Sequence, residues 1–301
     1  MSRFEALDIG LVVAAHGRHV VVETPEGQRV LCHPRGKKSD IVVGDRVRWM
    51  PTGDEGVIEQ IEPRRNLLLR QDEWRSKSFA ANLDLLLVLV AGEPVFSESQ
   101  LTRALIAARQ AGIPAIIGLN KIDLPAAAAA RERLLPYGRM GVEIVELALK
   151  AQGQASSAEL LKVLAGKTTL VLGPSGMGKS TLINLLIPEA AAQVGEISRA
   201  LAAGRHTTTT TTWYWLDAMR QGAVIDSPGF QEFGLHQVAP ENLATLMPDF
   251  EAALGACRFY NCSHRHEPGC GVLGALERGE ISGSRYRIYL ALFDELSQTR
   301  R

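Results

Sequence analysis

The sequence predicts a multidomain protein of mixed α/β class, and three observations carry that expectation. Short Val- and Ile-rich runs broken by turn residues fill residues 1–75, strand and helix patterns alternate through residues 76–237, and three of the four cysteines gather in residues 238–301. A chain of 301 residues has room for three such units, each burying a core of its own.

In the first unit the runs are Leu11–Val13, His19–Val22, Arg29–Cys32, Arg46–Trp49 and Val57–Ile61, separated by Gly17, Pro25-Glu26-Gly27, Gly44-Asp45 and Gly53-Asp54. So many short strands in so few residues predict a small closed β-barrel of the OB-fold type. Such barrels often contact oligonucleotides and often serve structure alone, and the residues leave both readings open.

In the second unit Asp84–Ala91 reads as a buried strand, Ser97-x-x-Gln100 as a capping box opening a helix through Gln110, and Ile113–Leu119 as the next strand. A helix after Pro125, a strand over Val142–Leu147, a helix capped by Ser156-x-x-Glu159 and a strand over Thr168–Leu172 follow. Their alternation predicts a doubly wound domain with its ligand loops at the carboxyl ends of the strands.

Those loops carry the chemistry. Gly173-Pro174-Ser175-Gly176-Met177-Gly178-Lys179-Ser180, followed by Thr181, fits the phosphate-loop pattern G-x-x-x-x-G-K-[ST]. Glycines let the backbone N–H groups turn inward around phosphates, Lys179 supplies a point charge to them, and the Ser180 hydroxyl ligates Mg²⁺. Asn120-Lys121-Ile122-Asp123 has the N-K-x-D form that reads guanine: a carboxylate accepts both N1–H and N2–H₂, a donor pair adenine lacks. Asp226-Ser227-Pro228-Gly229 has the D-x-x-G form, with Asp226 steadying Mg²⁺ through water and the Gly229 N–H meeting the γ-phosphate. An ordinary GTPase places its phosphate loop before the base-reading element; here the order is reversed, which predicts a circularly permuted GTPase domain.

Between phosphate loop and D-x-x-G lie Gly204-Arg205-His206 and the run Thr207 to Thr212. One threonine is expected to complete the Mg²⁺ shell; Thr208 is taken as that ligand, with Thr207 and Thr209 as alternatives, while later threonines suit a strand. Phe230 stands where many GTPases carry a water-orienting glutamine, so Gln231 or His206 must take that part, or His206 is structural. Lys179 and His206 are therefore the catalytic candidates.

In the third unit Cys257-x₄-Cys262-x-His264-x₅-Cys270 offers a full tetrahedral set for one structural Zn²⁺, with His266 as a competing ligand. A helix over Arg285–Leu296 completes a helical zinc-binding module.

Composition narrows the partners. With 33 basic against 33 acidic residues the net charge is +0, so any RNA must be met by local patches. The start Met1–Glu5 lacks the apolar core of a signal peptide, and the longest apolar run, Leu85–Ala91, is far short of the ~20 residues that span a bilayer. A cytoplasmic monomer without membrane contact is expected, and in a reducing compartment clustered cysteines read as metal ligands before disulfides.

Barrel, permuted domain with Gly204-Arg205-His206-Thr207, and C-x₄-C-x-H-x₅-C together resemble the bacterial ribosome small-subunit-dependent GTPase A family over nearly the full length. The resemblance implies hydrolysis of GTP to GDP, action late in small-subunit maturation, and stimulation by that subunit, whose rRNA the three units would grip. It assigns Asn120, Lys121 and Asp123 to the base, and Gly173, Gly178, Lys179, Ser180, Thr181, Asp226 and Gly229 to the phosphates. It also assigns Cys257, Cys262, His264 and Cys270 to zinc. One departure stands out: where GTPases usually carry a Ser-Ala pair, this chain reads Glu146-Leu147-Ala148-Leu149-Lys150, leaving a backbone N–H to help hold the guanine. Two rival readings remain: a P-loop ATPase or kinase with a zinc ribbon, and a non-catalytic GTP-dependent RNA-binding switch.

Overall fold

The computed structural model describes residues 7–16, 19–36, 40–72, 75–188, 190, 211–227, 235 and 237–298. His206, Thr207, Thr208, Thr209, Gly229, Phe230 and Gln231 lie outside the described residues.

Strands β1 (Asp8–His16), β2 (His19–Glu23), β3 (Arg29–Pro34), β4 (Arg46–Thr52) and β5 (Glu55–Ile61) follow the five expected runs. They hydrogen-bond in the order β1-β2-β3-β5-β4, and β4 returns to β1, so the barrel closes. Closure removes the exposed edges that an open sheet presents. Alternate residues along a strand point to opposite faces, so burial of both faces explains why the sequence shows Val-Val-Val rather than clean alternation. Val12, Val20 and Val22 fill the barrel interior with Cys32, Val47, Trp49 and Ile58, whereas Val13 and Val21 point outward into the core of the neighbouring domain. Both faces are thus buried over Val12–Ala14 of β1 and Val20–Val22 of β2. Burial pushes the lone Cys32 thiol up to about 12, as suits an inert packing residue.

A hairpin, β6 (Leu67–Asp72) and β7 (Arg75–Ala81), follows the barrel and has no counterpart in the sequence reading.

Next come β8 (Leu85–Ala91), α1 (Glu98–Gln110), β9 (Ala115–Asn120), α2 (Ala127–Arg139) and β10 (Glu143–Glu146). They are followed by α3 (Gly153–Leu164), β11 (Thr168–Leu172), α4 (Lys179–Leu186), β12 (Thr211–Trp215) and β13 (Ala223–Asp226). Their sheet runs β10-β9-β8-β11-β13-β12 and is parallel except at β12. All of β8 is buried, as a parallel strand covered on both faces must be, hence its unbroken apolar run. Ser97 caps α1, its hydroxyl accepting from the Gln100 N–H at 3.3 Å. Ser156 does not cap α3: that helix begins at Gly153, and Ser156 lies inside it, committed elsewhere.

Beyond β12 the sheet does not end. Residues Thr211 and Thr212 pair with Ala15 and Ala14 of β1, so one eleven-stranded sheet runs from the α/β domain into the barrel.

The C-terminal part holds two 3₁₀ turns and three helices, α5 (Pro248–Leu254), α6 (Gly271–Glu277) and α7 (Gly283–Gln298). It is anchored by a buried guanidinium: Arg285 of α7 grips both oxygens of Asp249 at 2.9 and 3.0 Å, donates to Thr102 of α1, and lies 5.0 Å over the Tyr137 ring of α2. Ion pairs Arg103–Glu295 and Arg109–Glu251 extend the same contact. Among the described residues no helix is long and apolar enough to cross a membrane.

Candidate nucleotide site and metal centre

Strand β11 ends at Leu172, and the loop that opens with Gly173 bends around a cavity of about 550 Å³ at the carboxyl ends of β9 and β11. Gly173, Gly176 and Gly178 each answer a separate steric demand. A Cβ on Gly173 would sit 2.6 Å from the Leu89 carbonyl oxygen, and one on Gly176 would press on Pro94. Gly178 has φ +104° and passes so close to Asn120 that a Cβ would overlap the carboxamide nitrogen. Gly178 is also the N-cap of α4, so the cavity faces the positive end of that helix.

Lys179 is half-buried and donates its ammonium to the Gly173 carbonyl at 2.7 Å, which leaves two donors for a phosphate. Burial lowers its pKa while the Asp226 carboxylate works the other way. Asp226 closes β13, and burial raises its own pKa against the pull of Lys179. Each charge therefore supports the other, and a divalent cation beside Asp226 would favour its ionised form further. Ser227 behind it is fully buried, its hydroxyl turned to the Val171 carbonyl.

Asn120 ends β9 as a buried brace. Its amide nitrogen donates to the Met177 carbonyl at 2.8 Å, and its oxygen accepts the Leu149 N–H at 3.1 Å. One side chain thus joins the phosphate loop to the 146–150 segment. Lys121 takes a left-handed turn, φ +62°, and its ammonium reaches the Glu93 carbonyl at 2.7 Å. Asp123 is exposed and lines the cavity together with Leu149, Lys150, Pro174, Ser175, Ser180 and Thr181. The base-reading and phosphate-loop residues, separated in sequence and reversed in order, therefore share one cleft.

Where a serine is missing from 146–150, the backbone is fixed by other means: Ala148 N–H donates to the buried Ser156 hydroxyl at 2.9 Å and Leu149 N–H to Asn120. Ser156 is a site-supporting residue that the sequence reading took for a helix cap. Its spacing toward Glu159 imitates a capping box, and nothing local distinguishes the two uses.

At the metal centre the ligand atoms of Cys257, Cys262, His264 and Cys270 all lie within 4.8 Å of one another. His264 Nδ1 is 3.5 Å from both Cys257 Sγ and Cys270 Sγ. Tetrahedral zinc with its usual bond lengths sets N and S ligands about 3.6 Å apart, so the gathered atoms fit that ion. Burial, then the neighbouring Cys270 and Cys257, push the Cys262 thiol up to about 12, because such crowded thiolates need a cation among them. His266 is not in the set. The amides of Gly271 and Leu273 donate to Cys257 Sγ and Cys270 Sγ, and α7 ties down the loop through Tyr286 and Tyr289, which donate to the His264 and Ser263 carbonyls. Despite its burial, Glu267 is held well below the carboxylate range by hydrogen bonds from Ser263 and the Arg265 amide.

A strand order of β12-β13-β11-β8-β9-β10 with the phosphate loop after β11 and the N-K-x-D element after β9 defines a circularly permuted GTPase. The sequence profile of the RsgA GTPase family matches residues 61–236. A small ribosomal subunit biogenesis GTPase RsgA of Variovorax paradoxus is 61% identical over 97% of this chain and 93% of its own length. The crystal structure of YjeQ from Thermotoga maritima, 33% identical, superposes with a TM-score of 0.73 over 96% of this chain and 98% of its own. YloQ, described as a circularly permuted GTPase, shares the fold at a TM-score of 0.71 and 24% identity, covering 99% of this chain and 98% of its own. The chain belongs to the RsgA GTPase family, hydrolyses GTP with Mg²⁺, and carries a cysteine–histidine site fitted to structural zinc.

Proposed function

We propose that this GTPase acts on the small ribosomal subunit late in its maturation, in the cytoplasm and as a monomer, its GTP hydrolysis stimulated by the subunit it grips. The observation that supports it most is the single cleft shared by Asn120, Asp123, Lys179 and Ser180, in a chain whose curated relatives are called small ribosomal subunit biogenesis GTPases. Residues 1–75, 76–237 and 238–301 serve as barrel, GTPase and zinc module. Asn120, Lys121 and Asp123 hold guanine; Gly173 to Thr181 and Gly229 hold the phosphates; Ser180, Thr208 and Asp226 hold Mg²⁺; His206 orients the attacking water in place of the glutamine that Phe230 displaces.

When bound, Mg²⁺ neutralises charge developing on the transferred phosphoryl group. The chain's own part is to place two Lys179 donors and the loop amides against the phosphates, and to accept guanine N1–H and N2–H₂ at Asp123. Asp123→Asn should weaken GTP and improve xanthosine triphosphate, whose C2 carbonyl pairs with the new amide; competition binding with GTP, ATP and the xanthosine analogue measures it. Equal binding of ATP and GTP by the wild type would overturn the base assignment.

The partner is tested by turnover with and without purified small subunits. Completing a GTPase site from outside raises rates about 10³–10⁵-fold in other systems, and a rise of that order is expected here. In His206→Ala the rise should be largely lost while GTP and subunits still bind. An unstimulated wild type argues against the ribosomal role, and an equally stimulated variant against His206.

A further inference from the structure

We infer that Glu23, at the end of barrel strand β2, is a positioning residue for GTP hydrolysis, clamping β12 to the barrel and so setting the placement of Asp226; this rests on the Mg²⁺ role proposed above for that residue. Strand β12 sits between two neighbours. Thr212 is opposite Ala14 of the barrel on one side and opposite Asp226 of β13 on the other. Asp226 is in turn opposite Val171 of β11, the strand that delivers the phosphate loop. A single strand therefore separates the barrel from Asp226, and the sequence enters that strand directly from Thr207–Thr210.

Backbone pairing between barrel and β12 lies at one end of the strand, at Thr211 and Thr212. The other end is held by side chains. Trp215 Nε1 donates to Glu23 Oε1 at 2.7 Å, and Arg29 Nε of β3 donates to Glu23 Oε2 at 3.0 Å. Arg220, from the turn between β12 and β13, stands 3.6 Å from the same carboxylate and donates to the Pro25 carbonyl at 3.2 Å. Gly27 leaves room for that guanidinium, since a Cβ there would overlap it. The Glu23 side chain is only 4% exposed, so it is tolerable as a carboxylate because donors from the barrel, from β12 and from the turn converge on it. The β13 ladder, Thr212 to Trp215 against Asp226 to Ala223, fixes the register of β12, and the Glu23 bonds give that strand a second attachment to the barrel. Beside the clamp lies a cavity of about 630 Å³, lined by Leu11, Arg46, Trp213 and Trp215 among others. The seam between β1 and β12 is thus where the barrel's seating bears on Asp226.

Two variants separate positioning from packing. Glu23→Gln keeps an acceptor for Trp215 but loses the charge that Arg29 and Arg220 face; Trp215→Phe keeps a ring and loses the N–H. Hydrogen exchange of the full-length protein with a non-hydrolysable GTP analogue, and turnover with and without small subunits, are read for both. Exchange over residues 207–215 should quicken, and kcat, basal as well as subunit-stimulated, should fall about tenfold at unchanged KM for GTP. Exchange in β4 and β5 should match the wild type. Unchanged exchange over 207–215 and unchanged kcat in both variants would overturn the positioning role, as would faster exchange spread through β4 and β5, which marks Glu23 as merely structural. Should wild type itself show no stimulation, the ribosomal role fails, and exchange over 207–215 together with basal kcat decides the clamp.

Discussion

Lys179→Ala is expected to cut GTP turnover by at least about 10²–10³-fold, the usual effect of removing one preorganised charge or donor from a site where negative charge develops. The ammonium is held over the loop by the Gly173 carbonyl and faces Asp226. Alanine suits the helix that begins here, so the fold should survive. The lost bond to Gly173 costs about 1 kcal/mol, visible as a small shift in thermal melting. Nucleotide binding weakens less than kcat, because Lys179 contributes most as charge builds on the transferring phosphoryl group. Single-turnover hydrolysis at saturating GTP measures the chemical step directly, and a rate within a factor of about two of wild type would remove Lys179 from the chemistry.

How far the sequence disclosed this site depended on the range over which each residue acts. The phosphate loop, N-K-x-D and D-x-x-G are local strings whose chemistry is set by their own spacing, and the structure brings the first two into one cleft. Ser97 was legible because a cap acts within one turn; Ser156 has the same local pattern but spends its hydroxyl on the Ala148 amide eight residues back. Asn120 was read as a contact to guanine, and its brace between Met177 and Leu149 required partners dozens of residues away.

The barrel strands were legible from their Val and Ile runs. The hairpin of β6 and β7 was not, since Arg70, Gln71, Asp72, Arg75, Ser76 and Lys77 give little apolar signal. Least visible of all were contacts between distant segments. No periodicity shows that Val12 and Val13 serve different cores, that Glu23 meets Trp215, or that Arg285 finds Asp249 and Thr102. The competing His266 was set aside by geometry that spacing alone does not fix.

Cys270→Ser should empty the metal centre. Wild-type protein is expected to hold about one zinc per chain, since three thiols and an imidazole nitrogen fill its four positions. The substitution isolates metal loss from helix loss: Cys270 is the N-cap of α6, its sulfur accepting the Leu273 N–H, and serine is a favoured residue at that position. What disappears is one of the three thiolates, and with it most of a binding free energy that is about 10–16 kcal/mol for structural zinc in small domains. The loop over residues 257–270 is then held by Glu267, Tyr286, Tyr289 and the Arg265–Asp294 ion pair at its surface, so it should loosen and become open to limited proteolysis. Arg285 and Asp249 keep α7 and α5 docked on α1, and the GTP cleft lies on other elements, so nucleotide affinity should persist. Elemental analysis, protease mapping and GTP titration of the two proteins decide the matter. Zinc retained at the wild-type ratio in the variant would remove Cys270 from the ligand set, and wild-type protein prepared without chelator yet free of zinc would refute the site.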